Sequence, residues 1–362
     1  MPLVAHTQLP TYTSLRQQGH EVLSLERALA QDIRELHIGL LNMMPDAALR
    51  VTEQQYMRLI GSCNQIVQFY VHPFTIPGLE RSPDVQTYID TYYDSFEQLQ
   101  EEGLDALIVT GANVTNPMLE LEPFWEPLQT VLNWAGDHLA SVLCSCLATH
   151  ALLKLKYGID RQRLPRKQWG VFQHRVRDRS HPLLRDINSR FDMPHSRWNE
   201  VAADQLEAAG LHILIDSEVG GVQLAVSPDH FRFIYFQGHP EYFRNSLLKE
   251  YKREVMRFLN DEIDMLPPHP KNYFGPDATH IDKMYLRSAI QAKREQRPLP
   301  SFPEAEFDPH LDNTWGDTSK ALFNNWLGLV YRLTHPNRHI PFMPGINPDD
   351  PLWLNGNNSV NY

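Results

Sequence analysis

One stretch constrains the fold more than any other: Ser141-Val142-Leu143-Cys144-Ser145-Cys146-Leu147-Ala148-Thr149-His150-Ala151-Leu152-Leu153. It begins as a short apolar run and changes at its second cysteine into a pattern with helical spacing. Leu147, Ala148, Ala151, Leu152 and Leu155 recur at intervals of three and four, as one buried helix face does. The helix is expected to stop at Tyr157-Gly158, where glycine suits a left-handed C-cap. A strand that turns sharply into a helix presents its turn residue at the carboxyl end of a sheet. A thiol placed there meets the positive end of the helix dipole, which favours the reactive thiolate. Cys146 occupies that turn and is the candidate nucleophile.

The chain has 362 residues, enough for one large α/β domain with decoration or for two smaller ones, and an apolar fraction of 42% is sufficient for a core. A formal charge of -11 argues against nucleic acid or an anionic membrane as main partner. No apolar run approaches a membrane span, and the N-terminus lacks a basic region followed by an apolar core. Three cysteines do not make a disulfide framework, so a reducing, cytoplasmic setting is expected.

Helix starts are expected at Thr13-Ser14-Leu15 and Ser24-Leu25-Glu26. Residues 36–41 read as a buried strand, Thr52 to Ile60 as a helix and Gln65 to Val71 as a strand, a β-α-β unit that predicts a parallel sheet. The strand at 107–112 ends in Gly111-Ala112, a helix follows near Trp125 to Trp134, and then comes the cysteine elbow. Further strands are expected at 211–215, 222–226 and 233–236, the last leading into Gln237-Gly238-His239-Pro240-Glu241-Tyr242, and a helix from Leu247 to Leu259. From Pro267 the chain turns proline-rich, with helices expected at 281–293 and 315–334 and a surface tail over the last twenty residues. The expected organisation is one catalytic α/β domain over 1–265 and a C-terminal extension over 266–362 packed on it.

Thiol catalysis needs an imidazole to take the thiol proton and a third group to orient it. His239, just past a strand, pairs with Cys146 in this reading, and Glu241 can bring its carboxylate back to the same imidazole. Seventeen histidines also make a chance pairing easy. Cys144, inside the apolar run, reads as an inert buried thiol, and Cys63 as a small residue at a helix–strand junction. The amides of Gly111 or Ala112 together with that of Leu147 suit an oxyanion hole, and equally an ordinary tight turn. Glu250 and Arg253 stand at i and i+3 on one helix, either as an amino-acid clamp or as a solvated ion pair. Lys167 and Pro194-His195-Ser196-Arg197 are ambiguous alone. No histidine or carboxylate grouping has zinc spacing along the chain, and there is no phosphate-cradling glycine loop.

Taken together, these stretches resemble the homoserine O-succinyltransferases, a family of the class I glutamine amidotransferase-like fold, a three-layer α/β sandwich with a mainly parallel sheet. The matching stretches are Leu41-Asn42-Met43-Met44-Pro45, Thr52-Glu53-Gln54, Val109-Thr110-Gly111-Ala112, Cys146-Leu147-Ala148 and Tyr157-Gly158-Ile159. They continue with Lys167-Gln168-Trp169-Gly170-Val171-Phe172, Phe191 to Arg197, Gly238 to Tyr242 and Glu250-Tyr251-Lys252-Arg253. The resemblance implies ping-pong transfer from succinyl-CoA to the L-homoserine hydroxyl in methionine biosynthesis. Cys146 would carry the acyl group, with His239 as base and Glu241 orienting it. It further implies that Lys167, Ser196 and Arg253 bind substrate with Glu250 toward the acceptor amine, that no cofactor is needed beyond the acyl-CoA co-substrate, and that the chain forms a homodimer. A small residue at the position of Thr115 goes with succinyl in the family and glutamate with acetyl, so threonine leans toward succinyl. The chain departs from the family pattern at Asp46, where lysine is usual. Arg50 is the expected replacement for that positive charge toward CoA. It departs again at Leu147 to His150, where the family usually has tryptophan and then glutamine. Acetyl-CoA as donor, L-serine as acceptor, and a glutamine amidotransferase-type amide hydrolase or a binding protein on the same fold are the alternatives.

Overall fold

The computed structural model describes residues 3–63 and 67–355. Its frame is a nine-stranded sheet. In chain order the strands are β1 (Glu35–Leu41), β2 (Gln68–Phe74), β3 (Ala106–Val109), β4 (Ser141–Ser145), β5 (Gln162–Val176), β6 (Arg190–Glu200), β7 (His212–Ser217), β8 (Gly221–Val226) and β9 (Phe233–Phe236). In space they run β2-β1-β3-β4-β9-β8-β7-β5-β6. The five from β2 to β9 are parallel, whereas β8, β7, β5 and β6 continue antiparallel. Parallel strands buried on both faces read as continuous apolar runs, which explains why β1, β3, β4 and β9 are plain in the sequence.

Six helices matter here: α1 (Asp46–Gly61), α2 (Trp125–His138), α3 (Leu147–Tyr157), α4 (Ser246–Leu259), α5 (Pro276–Arg294) and α6 (Gly316–Leu333). Helices α2 and α3 pack on one face of the sheet. Helices α1, α4 and α6 share a second core on the other face. The structure is therefore α/β in three layers. The N-terminal helix begins at Pro10, with proline in its first turn, rather than at Thr13. The Ser24 hydroxyl accepts the Arg27 amide at 3.3 Å and caps a helix over Leu25–Leu29, as expected. Gln65 and Ile66 of the expected strand, and residues 356–362 of the expected tail, lie outside the described residues.

Residues on both sides of position 265 share one core. Leu322, Phe323 and Trp326 of α6 lie against Leu143, Leu224, Ile234 and Phe236 of the central strands, and the Trp326 indole donates to Ser141 Oγ at 2.9 Å. Chain 266–275 also contributes. Lys271 exchanges backbone hydrogen bonds with Trp169 and Val171 on β5, each 2.9 Å. That approach requires Gly170, whose φ is +137° and where a Cβ would stand 2.2 Å from the Lys271 carbonyl oxygen. Helix α6 thus packs on one face of the sheet.

The two strands that sequence reading did not locate are β5 and β6, joined in a long antiparallel pair. Neither alternates cleanly, because the outer half of β5 is exposed, and both carry a proline, Pro165 and Pro194. Their importance is positional, since they carry Lys167 and Ser196 to the carboxyl edge of the parallel strands.

Candidate active site

The elbow forms as its spacing suggests. β4 ends at Ser145, α3 starts at Leu147, and Cys146 between them has φ +53° and ψ -110°. A non-glycine residue held at positive φ costs of order 1–3 kcal/mol and persists where its surroundings over-determine it. Here the Cys146 amide donates to the Phe236 carbonyl at 2.8 Å. The Thr149 hydroxyl lies 2.8 Å from that carbonyl and 3.0 Å from the Cys144 carbonyl. Helix α3 ends at Gly158 in the left-handed conformation, as expected. Cys144 faces the core with 0% exposure, and burial pushes its thiol well above the ordinary range. Cys63 is also buried and pushed up to about 12. Cys146 is the partly exposed thiol of the three.

His239 follows β9, its amide held by the Pro194 carbonyl of β6 at 2.9 Å. The residue before it is closely packed: a Cβ on Gly238 would stand 2.3 Å from Gln223 Oε1 and 2.9 Å from the buried His195 ring, so a larger residue would displace those side chains. The imidazole has Glu241 Oε1 at 2.8 Å from Nδ1, and Cys146 also favours its protonated form. Burial works to lower its proton affinity. The Glu241 carboxylate, itself 4% exposed, and Cys146 outweigh that penalty and raise His239 from 6.5 to about 10. A thiol, an imidazole and an orienting buried carboxylate are therefore in register.

Gly111, at the end of β3, faces the same point. A Cβ there would lie 3.7 Å from Cys146 Cβ and 3.9 Å from the Leu147 amide nitrogen. The first amides of α3 have no intrahelical acceptor, so they point at whatever occupies this space. A cleft of about 220 Å³ opens beside the thiol, lined among others by Ala112, Val114, His150, Arg161, Arg163 and Ser196. His150 binds Gln237 Oε1 at 3.2 Å, and burial lowers it to about 3, so it presents a neutral ring.

On the other side of His239 stands Tyr242, its ring stacked 4.3 Å from the imidazole and its hydroxyl donating to Glu250 Oε1 at 2.7 Å. Glu250 Oε2 also accepts from Ser196 at 2.6 Å and Lys167 at 3.2 Å. Burial disfavours the Glu250 anion, yet Lys167, Ser196 and Tyr242 hold the carboxyl below its ordinary range. Lys167 additionally lies 4.4 Å over the Trp169 ring.

A family model described as homoserine O-succinyltransferase matches residues 2–336. The chain belongs to that family. A homoserine O-succinyltransferase of Methylobacter tundripaludum is 58% identical, with 98% of this chain and 100% of the relative covered. Proteins of the same name from Nitrosococcus oceani and Methylococcus capsulatus are 57% and 56% identical, with 98% of this chain and 99% and 100% of the relatives covered. Among solved structures, a glutamine amidotransferase from Thermotoga maritima matches at a TM-score of 0.45 and 11% identity, covering 82% of this chain and 97% of that one.

Not every residue carried over from the family sits in the site. Arg253 is 59% exposed and pairs with Glu254 at 3.0 Å, so the expected clamp with Glu250 is not assembled. The phase of α4 turns Glu250 inward and Arg253 outward. Thr115 is exposed, its amide bonded to Glu122 Oε1 at 2.7 Å, while Ala112, Asn113 and Val114 of the same loop line the cleft. Arg50 is exposed and lies 4.2 Å over the Tyr88 ring. The cation near Pro45 is instead Arg81, which donates to the Met44 carbonyl at 2.6 Å and pairs with Asp46 at 3.4 Å. Asp46 also accepts the Ser82 amide at 2.8 Å, so it secures the loop before α1. Sequence reading missed Arg161, Arg163, His150 and Tyr242 as site residues. Tyr242 was legible as the residue that closes the Gly-His-Pro-Glu-Tyr stretch, whereas Arg163 stands on β5, a strand with no alternation to betray it, and Arg161 immediately precedes it.

Proposed function

We propose that this chain transfers a succinyl group from succinyl-CoA to the hydroxyl of L-homoserine through an acyl-Cys146 intermediate, in methionine biosynthesis. The observation that carries the proposal is the Cys146–His239–Glu241 arrangement at a strand-to-helix elbow, flanked by two unlike subsites. In the first half-reaction the Cys146 thiolate attacks the thioester carbonyl. The oxyanion forms beside the amides of Leu147 and Gly111 or Ala112, CoA leaves as a thiol with the proton from His239, and the acyl group stays on Sγ. In the second, neutral His239 takes the homoserine hydroxyl proton as its oxygen attacks the acyl-cysteine, and the thiolate is regenerated.

The subsites support the assignment of donor and acceptor. Arg161 and Arg163 line the cleft beside Cys146 and suit the free carboxylate of succinyl, as guanidinium groups do. Glu250 lies beyond Tyr242, next to the base, and suits an amino-acid ammonium. Lys167 and Ser196, with Arg253 from the outer face of α4, complete the proposed substrate contacts. Thr115 acts through the loop that it shares with Ala112 and Val114. A homodimer in the cytoplasm belongs to the same reading. Among the described residues no helix is long and apolar enough to cross a membrane.

The test is an acyl-donor by acceptor matrix, succinyl-CoA and acetyl-CoA against homoserine and serine, with mass spectrometry after donor alone. Succinyl-CoA with homoserine should be the preferred pair, and a succinyl adduct should map to Cys146 and vanish in Cys146→Ser. Turnover with acetyl-CoA alone refutes the donor, full activity in Cys146→Ala refutes the mechanism, and glutamine hydrolysis without acyl-CoA favours an amidase. Light scattering decides the oligomeric state.

A further inference from the structure

Away from the acyl-transfer cleft, three imidazoles and two carboxylates meet at the outer edge of the sheet. His72 lies on the edge strand β2, His37 on β1, and His6 just after the two-residue strand Val4–Ala5. Asp94 follows the helix Pro83–Tyr92, its amide bonded to the Pro73 carbonyl at 2.9 Å. His6, His72 and Asp94 each bring one ligating atom to within 4.8 Å of the other two. His72 Nδ1 is 2.9 Å from Asp94 Oδ2, and the His6 and His72 rings are 4.7 Å apart.

The hydrogen bonds around these rings do not close without a further positive centre. His6 Nδ1 is taken by the Val4 carbonyl at 3.3 Å and the Tyr12 hydroxyl at 3.2 Å, while its Nε2 is buried with no protein partner. From His72 a row of contacts runs inward: Nδ1 to Asp94, Nε2 to His37 Nδ1 at 2.9 Å, and His37 Nε2 to Glu35 Oε2 at 3.3 Å. Three contacts need three N–H groups, and two neutral imidazoles carry two. A metal ion between His72 Nδ1 and Asp94 removes the conflict. His72 then donates its Nε2–H to His37, and His37 donates its Nε2–H to Glu35. That is the usual arrangement behind a metal-bound histidine, whose second nitrogen donates to an outer partner. The same ion gives the orphaned His6 Nε2 a partner.

We infer that His6, His72 and Asp94 form a binding site for one divalent transition-metal ion of the zinc class. Two imidazoles and a carboxylate suit zinc, cobalt or nickel, whereas magnesium and calcium prefer oxygen alone. Ligand atoms around tetrahedral zinc stand roughly 3.3 Å apart, so side-chain shifts of about 1 Å close the site. β2 lies three strand positions from β4, about 14 Å across the sheet, so the ion takes no part in acyl transfer. It ties the N-terminal segment, which already pairs through Leu3 with Phe69, onto the free edge of the sheet. Zinc spacing along the chain could not have revealed it, because the ligands come from three distant segments.

Chelator-stripped protein, incubated with zinc or cobalt and desalted, should retain one equivalent per chain and melt at a higher temperature than the stripped form. The cobalt form should show d–d bands and no thiolate charge-transfer band. His6→Gln and Asp94→Asn should each weaken binding by at least about tenfold, with metal-free melting close to that of the stripped parent, while Cys146→Ser should retain the ion. Absence of stoichiometric metal overturns the site and leaves an imidazolium in its place. A thiolate band, or undiminished binding in both variants, overturns it equally.

Discussion

Replacing Glu241 with glutamine isolates the charge of the orienting group from its shape. The carboxylate is buried and accepts from His239 Nδ1 at 2.8 Å. A glutamine keeps an oxygen that can accept the same hydrogen bond but removes the anion. Hydrogen bonds to charged groups contribute about 1.5–3 kcal/mol and neutral ones about 1 kcal/mol, so imidazolium stabilisation should fall by roughly 1–2 kcal/mol. That corresponds to about a 5–30-fold slower acylation of Cys146. The pH dependence carries a sharper signature. His239 is raised to about 10, so its imidazolium is intact at neutral pH and is lost as pH rises through the folded value. Any stability that His239 contributes is likewise fully present below its ordinary 6.5 and disappears toward 10. Without the Glu241 anion the alkaline limb of acylation should move down toward neutrality. The assay is the burst of CoA released on mixing enzyme with succinyl-CoA alone, followed from neutral to alkaline pH. A Glu241→Gln enzyme with the parental burst rate and an unmoved alkaline limb would refute the reasoning.

Three further outcomes are expected. Cys144→Ala should form the acyl-enzyme at the parental rate and lose about 1–2 kcal/mol of stability from the vacated core space, read as a lower Tm. Glu250→Gln should leave the succinyl-CoA burst intact but raise KM for homoserine about tenfold or more, since a charge-assisted contact to the ammonium is lost. Arg163→Ala should raise KM for succinyl-CoA several-fold and narrow its advantage over acetyl-CoA, measured as a ratio of kcat/KM.

Much of the scaffold was legible because its signals are short-ranged. The runs at 36–41, 107–112, 141–145 and 233–236 read as strands at once because their strands are buried on both faces, although the second ends at Val109, and Gly158 marked the end of α3. His239 and Glu241 are two residues apart beyond a strand end, so their pairing needs little more than local geometry. The outer strands β5 and β6 were not legible, because half-exposed, proline-bearing strands carry no clean alternation. With them went the location of Lys167, Ser196, Arg161 and Arg163.

The sequence by itself determined which thiol would stand at the elbow, since an apolar strand passing into a glycine-capped helix leaves one position at the turn, and Cys146 fills it. It also determined that Cys144, one step back in the alternation, is core. Only the tertiary structure decided what surrounds that thiol. Whether Glu250 or Arg253 faces the base depends on the phase at which α4 docks on the sheet, and that phase is set by packing of its apolar face rather than by the spacing of the two charges. The gathering of Lys167, Ser196, Tyr242 and Glu250, and of His6, His72 and Asp94 at the far edge, joins segments whose proximity exists only once the sheet order is set. Local propensity carries no information about such contacts, because the free energy that selects them comes from burial of surfaces that meet only in the folded chain.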